Sequence, residues 1–237
     1  MTRRFSTAQS RRLAFAPLCL ALLAGAIALP ATAAKTKVLG KTGHTPNPSC
    51  PKDTRKHPCQ AVGSVTGFQV VADGERGVFK APHDGRLLAW SVDLSRPSKD
   101  QRKFFGGLFK THRFGSDPTA RIGVLSKRRH HKYKLLRESP VVDLKNSLGE
   151  KQIVTLNKPL RIRKGQILAI TTPNWLPNLA TSLSARGNQW RASRPSGKCG
   201  GNDALKAKPH QKVGTVREYG CRFSTARLLY WGYYVRT

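Results

Sequence analysis

From residue 62 to the C-terminus, short runs of β-branched and aromatic residues alternate with turn-forming residues. No segment keeps apolar residues at the helical period, so little helix is expected. This pattern predicts an all-β fold, an antiparallel β-sandwich that is jelly-roll-like. Residues 87–94 show the clearest period of two, which is typical of a half-buried strand. Its inner face is predicted to carry Leu88, Trp90, Val92 and Leu94, and its outer face Leu87, Ala89, Ser91 and Asp93.

Turn-forming residues set the predicted strand boundaries. Asp-Gly pairs at 73–74 and 84–85 predict tight turns, because glycine readily adopts a positive φ. The second pair is predicted to join the strand at 87–94 to a short strand before it. The stretch 95–120 is predicted to be a long loop. Further strands are predicted at residues 62–71, 78–79, 121–126, 133–137, 152–156, 160–162, 167–172, 180–183, 189–192, 213–221 and 226–235.

The N-terminal 34 residues have the pattern of a secretory signal peptide. Arginine pairs at 3–4 and 11–12 precede an apolar run at 13–29, and small residues follow at 31–34. We therefore expect a secreted, extracellular or cell-wall-associated protein with no transmembrane segment in the mature chain. Both general secretion and twin-arginine export remain open.

The remainder of the chain is predicted to divide in two. Residues 35–60 are rich in Lys, Thr, Pro and Gly, and are expected to form a flexible basic tail. Residues 61–237 are expected to form the β-sandwich domain.

Four cysteines remain after the predicted cleavage, and an even number in an exported protein indicates disulfides. Three pairings are open. Short loops favour Cys50–Cys59, a small loop in the tail, and Cys199–Cys221. The spacing matches no standard zinc site, so no metal or other cofactor is expected.

The chain is strongly basic. It carries 43 Lys and Arg against 12 Asp and Glu, a formal net charge of +31. Such a charge attracts polyanions, here anionic polysaccharide or wall polymer, with non-specific nucleic acid or an anionic membrane surface as further candidates. A role of the charge in solubility alone is the alternative.

The densest cationic run lies between two predicted strands and is expected to form a hairpin tip. Arginine and lysine suit contacts with phosphate or sulfate groups. The two histidines become cationic below neutral pH, so anion binding here is expected to strengthen on acidification. The alternative is a solvated turn with no partner. The run consists of Lys127, Arg128, Arg129, His130, His131 and Lys132.

The predicted loop at 95–120 contains phenylalanines flanked by cations, centred on residues 102–110. This composition fits a contact with a membrane surface or nucleic acid. It also fits a lid whose phenylalanines cover one end of the sandwich.

Trp175 and Trp190 fall in irregular sequence, where exposed rings could form a platform for a sugar. Neighbouring amides suit sugar hydroxyls. The alternative is that both rings cap the apolar core. The amides are those of Asn174, Asn178, Asn188 and Gln189.

No catalytic motif is present, and we assign no catalytic residue. Glu138, Asp143 and Glu150 supply carboxylates for a cell-wall or polysaccharide hydrolase, but their spacing places no two of them on one strand face. An enzyme is therefore the less favoured alternative.

Residues 158–170 combine alternating apolars, a Lys-Gly turn and a second apolar strand. They resemble a strand pair of the jelly-roll sandwiches found in carbohydrate-binding modules. The whole pattern, with its terminal cysteines, resembles secreted β-sandwich proteins of soil bacteria, which implies a fold but no activity. The sequence thus favours a non-catalytic binding protein for anionic surface polymers or carbohydrate, with a hydrolase or a structural envelope protein as alternatives.

Overall fold

The computed structural model describes residues 36–49, 60–109, 114–200 and 211–237. The predicted signal peptide and the predicted Cys50–Cys59 pair lie outside these ranges. The strands are β1 (Lys37–Leu39), β2 (Val62–Ala72), β3 (Glu75–Arg76), β4 (Gly85–Asp93), β5 (Thr119–Lys127), β6 (Lys132–Glu138), β7 (Val142–Asp143), β8 (Lys151–Ile162), β9 (Ile167–Leu176), β10 (Leu179–Ala180), β11 (Gln189–Ala192), β12 (Val216–Glu218), β13 (Cys221–Ser224), β14 (Arg227–Leu228) and β15 (Tyr230–Arg236). The helices are α1 (Lys99–Phe109) and a 3-10 turn at Lys145–Ser147.

All strand pairing in the two main sheets is antiparallel, which confirms the predicted sandwich-like all-β fold. The smaller sheet has the order β1-β15-β4-β8. The larger sheet has the order β12-β6-β5-β9-β2-β11-β13, with β3 paired to β2 and β7 to β5. Strands β10 and β14 form a separate pair.

One apolar core joins the two sheets. Strand β9, at the centre of the larger sheet, is buried along its whole length. Tyr230 of β15 donates a hydrogen bond from its hydroxyl to Leu168 O of β9, at 2.9 Å. At Gly232 of β15 an added Cβ would lie 2.7 Å from the Leu168 side chain, so only glycine allows this close approach of the sheets.

The predicted inner and outer faces of residues 87–94 are reversed at the first two positions. Leu87 is buried, whereas Leu88 is 38% exposed. Opposite β15 the register shifts between Tyr233 and Tyr234, whose partners are Ala89 and Leu87. This shift leaves Leu88 as an extra residue of β4 and reverses the alternation there. Trp90 and Val92, beyond the shift, are buried as predicted.

One of the two Asp-Gly turns is confirmed. Asp73 and Gly74 have φ values of 48° and 83° and join β2 to β3. Gly85 lies inside β4 instead, and the predicted turn there is wrong. An added Cβ at Gly85, the first residue of β4, would clash with Val235 O, so this glycine serves close backbone packing against β15.

Residues 158–170 do not form the hairpin of a single sheet. Strand β8 belongs to the smaller sheet and β9 to the larger one, so the linker 163–166 crosses from one sheet to the other. Gly165, in the predicted Lys-Gly turn, has a positive φ of 81°. The linker is held by a hydrogen bond from Gly165 N to Ala81 O at 2.8 Å.

Helix α1 lies in the predicted loop. Ser98 caps it, because its hydroxyl accepts a hydrogen bond from Gln101 N while Gln101 Oε1 accepts one from Ser98 N. Phe105 stacks on Trp175 of β9, with ring centroids 5.1 Å apart. This tertiary contact stabilises a helix that carries the poor helix formers Gly106 and Gly107.

Residues 37–39 were expected in the flexible tail but pair with β15 as strand β1. The segment that follows is fastened by Arg227 of β14, whose side chain is fully buried. Its guanidinium donates hydrogen bonds to the Asp73 carboxylate, Thr42 Oγ1, His44 O and Gly40 O.

The Cys199–Cys221 disulfide is confirmed, with Cα atoms 5.3 Å apart. Gln211 and Tyr219, which precede Cys221, contact the larger sheet. There Gln211 N donates to Thr66 Oγ1 (3.3 Å) and the Tyr219 hydroxyl donates to Gln211 Oε1 (2.7 Å).

Several other boundaries differ from the prediction. The strand expected at 180–183 is only the two residues of β10, and residues 78–79 lie outside any strand. The runs at 213–221 and 226–235 are each divided in two, as β12 and β13 and as β14 and β15.

Candidate functional site

The cationic run forms the tip of the hairpin between β5 and β6, as predicted. Lys132 N donates to Arg129 O at 3.1 Å, which closes a two-residue turn. Its central residues, His130 and His131, have φ values of 54° and 56°. Neither is glycine, so each left-handed conformation costs roughly 1–2 kcal/mol. The turn presents its side chains to solvent, and all six residues from 127 to 132 are exposed.

A groove of about 440 Å³ lies beside this hairpin. The turn contributes Arg128, strand β6 contributes Lys134 and Arg137, and the linker between the sheets contributes Arg163. Among the residues that the structure describes, no acidic side chain lines it. The remaining lining residues are Ser126, Leu135, Leu136, Gln166 and Gly214.

An irregularity in strand pairing explains how Lys134 and Arg137 reach the same groove. Between Leu125 and Val124 of β5 the partner residue moves from Leu135 to Arg137, which leaves Leu136 as the extra residue of a β-bulge. The bulge shifts the alternation by one position. Arg137 therefore joins Lys134 on one face of β6.

The acid nearest in sequence, Glu138, is engaged elsewhere. Its carboxylate pairs with the Arg121 guanidinium at 2.8 Å, and the Thr171 hydroxyl donates to it at 3.1 Å. The Thr171 hydroxyl also meets that of Thr66, at 3.0 Å. These side chains cross strands β6, β5, β9 and β2 of the larger sheet. Glu138 thus belongs to a polar network inside the fold and does not neutralise the groove.

Burial raises the pKa of Glu138 to about 7, while Arg121 and the Thr171 hydroxyl act against this rise. The folded protein therefore holds a proton on Glu138 that the unfolded chain releases above about pH 4.5. The stabilisation from this proton is complete below that pH and is lost as the pH rises through about 7.

We expect the Glu138→Gln variant to reveal this loss. From about pH 5 to about pH 8, the unfolding free energy of the wild type should fall by about 2 kcal/mol relative to E138Q. Urea denaturation at several pH values measures this difference, with exposed Glu150→Gln as the control. If the wild type instead gained stability relative to E138Q as the pH rises, the ion pair between charged Glu138 and Arg121 would dominate over the cost of burying the charge.

Helix α1 borders a second pocket, of about 640 Å³. Lys99, Arg102 and Lys103 line it together with Lys145. Asp117 also lines it and lies 3.4 Å from the Lys145 ammonium. This pocket is therefore less purely cationic than the groove beside the hairpin.

The phenylalanines of α1 have different environments. Phe105 is half-buried against Trp175, as a covering lid requires, whereas Phe104 is 62% exposed. Among the described residues, no helix is both long enough and apolar enough to cross a bilayer.

The two tryptophans proposed as a sugar platform lie in the core. Trp175 is 2% exposed, stacks on Phe105, and donates from Nε1 to Ser116 O at 2.7 Å. Trp190 is 6% exposed and stacks on Phe223, with centroids 4.4 Å apart. The structure therefore corrects the expectation that these rings face outward as a pair, because packing against phenylalanine covers each of them.

The amides expected beside a sugar lie mostly against backbone. Asn174 Oδ1 accepts from Thr119 N (3.0 Å) and Trp175 N (2.8 Å), and Asn188 Oδ1 accepts from Asp73 N (3.2 Å). Asn178 is buried, with no partner for its amide among the described residues. Gln189 Nε2 donates to Ala185 O (3.1 Å).

Each carboxylate considered for hydrolysis has its own cationic neighbour, on a different part of the fold. Glu138 pairs with Arg121, Asp143 lies 3.6 Å from the Lys145 ammonium, and Glu150 lies 4.0 Å from the Arg96 guanidinium. Within the described ranges, no group of three potential metal-ligating side chains occurs.

Sequence reasoning found the hairpin but missed Lys134, Arg137 and Arg163. A signal for the first two was present, because residues 127–137 contain no acid and the basic run effectively continues into β6. The sequence contains no such signal for Arg163. This residue lies beside the groove only because the linker between β8 and β9 crosses from one sheet to the other.

No protein-family model, no curated protein and no solved structure matches this chain.

Proposed function

We propose that the protein is an exported, non-catalytic binding protein for anionic polymers, such as acidic polysaccharides or phosphate-bearing wall polymers. The observation that carries the proposal is the groove, whose described lining contains four cations and no acid. Arg128 belongs to both the groove and the exposed hairpin. A chain of negative groups would lie along both. The N-terminal leader pattern supports export to a compartment where such polymers occur.

The arrangement suits a polymer better than a single small anion. The hairpin offers six consecutive exposed residues, each basic or a histidine, and the groove adds three cations from other elements. Phosphate, sulfate and carboxylate groups repeated along a chain can meet many of these side chains at once. Arginine adds bidentate contacts to individual groups.

A variant with the four groove cations changed tests the site: Arg128→Gln, Lys134→Gln, Arg137→Gln and Arg163→Gln. We expect its affinity for heparin and for polyphosphate to fall about tenfold or more, because ion contacts with polyanions are lost. Glutamine keeps part of each side-chain stem, so folding should be preserved. Surface plasmon resonance on immobilised polymer measures the change.

The matched control removes the same charge elsewhere, by changing Lys99, Arg102, Lys103 and Arg186 to Gln. These residues are exposed on α1 and beyond β10. Its affinity should change about threefold at most. Equal losses in both variants would mean that the overall charge attracts the polymer and would contradict a discrete site.

A further inference from the structure

A separate pocket of about 490 Å³ lies away from the hairpin groove, among residues of β2, β11 and β13 and the Cys199 end of the disulfide. Trp190 and half-buried Phe223 form a stacked pair in its wall, with an interplanar angle of 18°. Gly67 lies against the Trp190 ring, since an added Cβ there would be 3.1 Å from the ring. The volume suits a small molecule. Apolar side chains complete much of the lining: Ala61, Val62, Val65, Leu179 and Ala226.

Arg194 lines the same pocket and is only 8% exposed. Its Nη2 donates to Gly63 O at 2.6 Å, while Nε has no acceptor among the described residues. Burial lowers the pKa of Arg194, and no carboxylate of the described residues acts against this. Burying a cation without a counter-charge is unfavourable. An anion that pairs with the guanidinium would offset this cost, and the gain would add to the free energy of binding.

Backbone strain is concentrated around this pocket. Ser182 and Thr225, both in its lining, have φ values of 59° and 64°. Ser64, between the lining residues Gly63 and Val65, has φ 43°. A positive φ is particularly unfavourable for β-branched threonine. Such residues are found preferentially at binding sites, where the surrounding structure holds them in place.

We propose that this pocket binds a small apolar carboxylate. The carboxylate pairs with the Arg194 guanidinium, whose planar fork matches it. The apolar body packs on Phe223 and the aliphatic lining. The hydroxyl groups of Thr181 and Ser224 supply polar contacts at the rim.

Isothermal titration calorimetry of the purified, disulfide-bonded protein with benzoate, benzamide and inorganic phosphate tests the proposal. Benzamide keeps the shape of benzoate and removes its charge, whereas phosphate keeps a charge and removes the ring. We expect benzoate to bind at least about tenfold more tightly than either. Equal binding of benzamide would overturn the role of Arg194, equal binding of phosphate would overturn the apolar body, and no benzoate binding would overturn the site.

Variants connect the binding to the pocket. Arg194→Gln should weaken benzoate at least about tenfold, and Arg194→Lys should recover part of the loss. The matched control is Arg186→Gln, at an exposed arginine outside the lining, which should leave benzoate binding unchanged. If R194Q fails to fold, R194K and the ligand comparison on the wild type still decide. Unchanged benzoate affinity in R194Q would overturn the proposal.

Discussion

Replacing Arg227 with methionine is expected to lower the free energy of unfolding by about 3–5 kcal/mol. The side chain is fully buried, and its guanidinium meets the Asp73 carboxylate and three acceptors of the N-terminal segment. Methionine fills much of the volume but donates no hydrogen bond. The partly buried Asp73 carboxylate then loses its counter-charge, and the acceptors around it lose their donor.

Urea denaturation followed by circular dichroism measures the effect. Arg222→Met is the matched control, because Arg222 is exposed on β13, and it should change stability by less than about 0.5 kcal/mol. Adding Asp73→Asn to R227M should recover part of the loss, since an unpaired charge is removed. A loss below about 1 kcal/mol in R227M would show that the N-terminal segment contributes little to the fold.

Replacing Trp175 with alanine is expected to cost about 3–5 kcal/mol. The change leaves a cavity beneath α1, removes the ring contact with Phe105 and leaves Ser116 O without the indole donor. Phe104→Ala, on the exposed side of the same helix, should be nearly neutral.

Thermal unfolding of both variants, with glycan binding measured in parallel, separates the two roles considered for Trp175. A core role requires that W175A loses stability. If W175A kept the wild-type melting temperature and lost glycan binding instead, the ring would belong to a sugar site.

The strands were predictable where local pattern and tertiary pairing agree. Residues 189–192 form β11 with the predicted bounds, and the Asp-Gly pair at 73–74 forms the predicted turn, whereas the same pair at 84–85 does not. The phase error in β4 arises at a bulge opposite β15, which depends on a partner strand distant in sequence. Helix α1 depends similarly on Trp175, since its own sequence has two adjacent glycines.

The candidate sites likewise include features that depend on local sequence and features that depend on tertiary contacts. The exposed hairpin at 127–132 could be predicted because its residues are consecutive. The groove beside it could not, because it needs a bulge in β6 and the linker between the two sheets, which brings Arg163 beside β6. Arg194 and Arg227 were missed because their burial depends on packing, although an arginine inside an apolar run, as at Arg227, is a signal that can be sought.

The salt dependence of polyanion binding tests most directly whether the groove and hairpin form a discrete site. The measurement is the slope of log affinity against log salt concentration, from about 0.05 to about 0.5 M, for the wild type, the groove variant and the control variant on polyphosphate. We predict that the groove variant loses about 3 units of slope, near 0.7–0.9 for each phosphate contact removed, while the control keeps the wild-type slope. A slope that is the same in all three proteins would contradict a discrete site and assign the attraction to the charge of the whole surface.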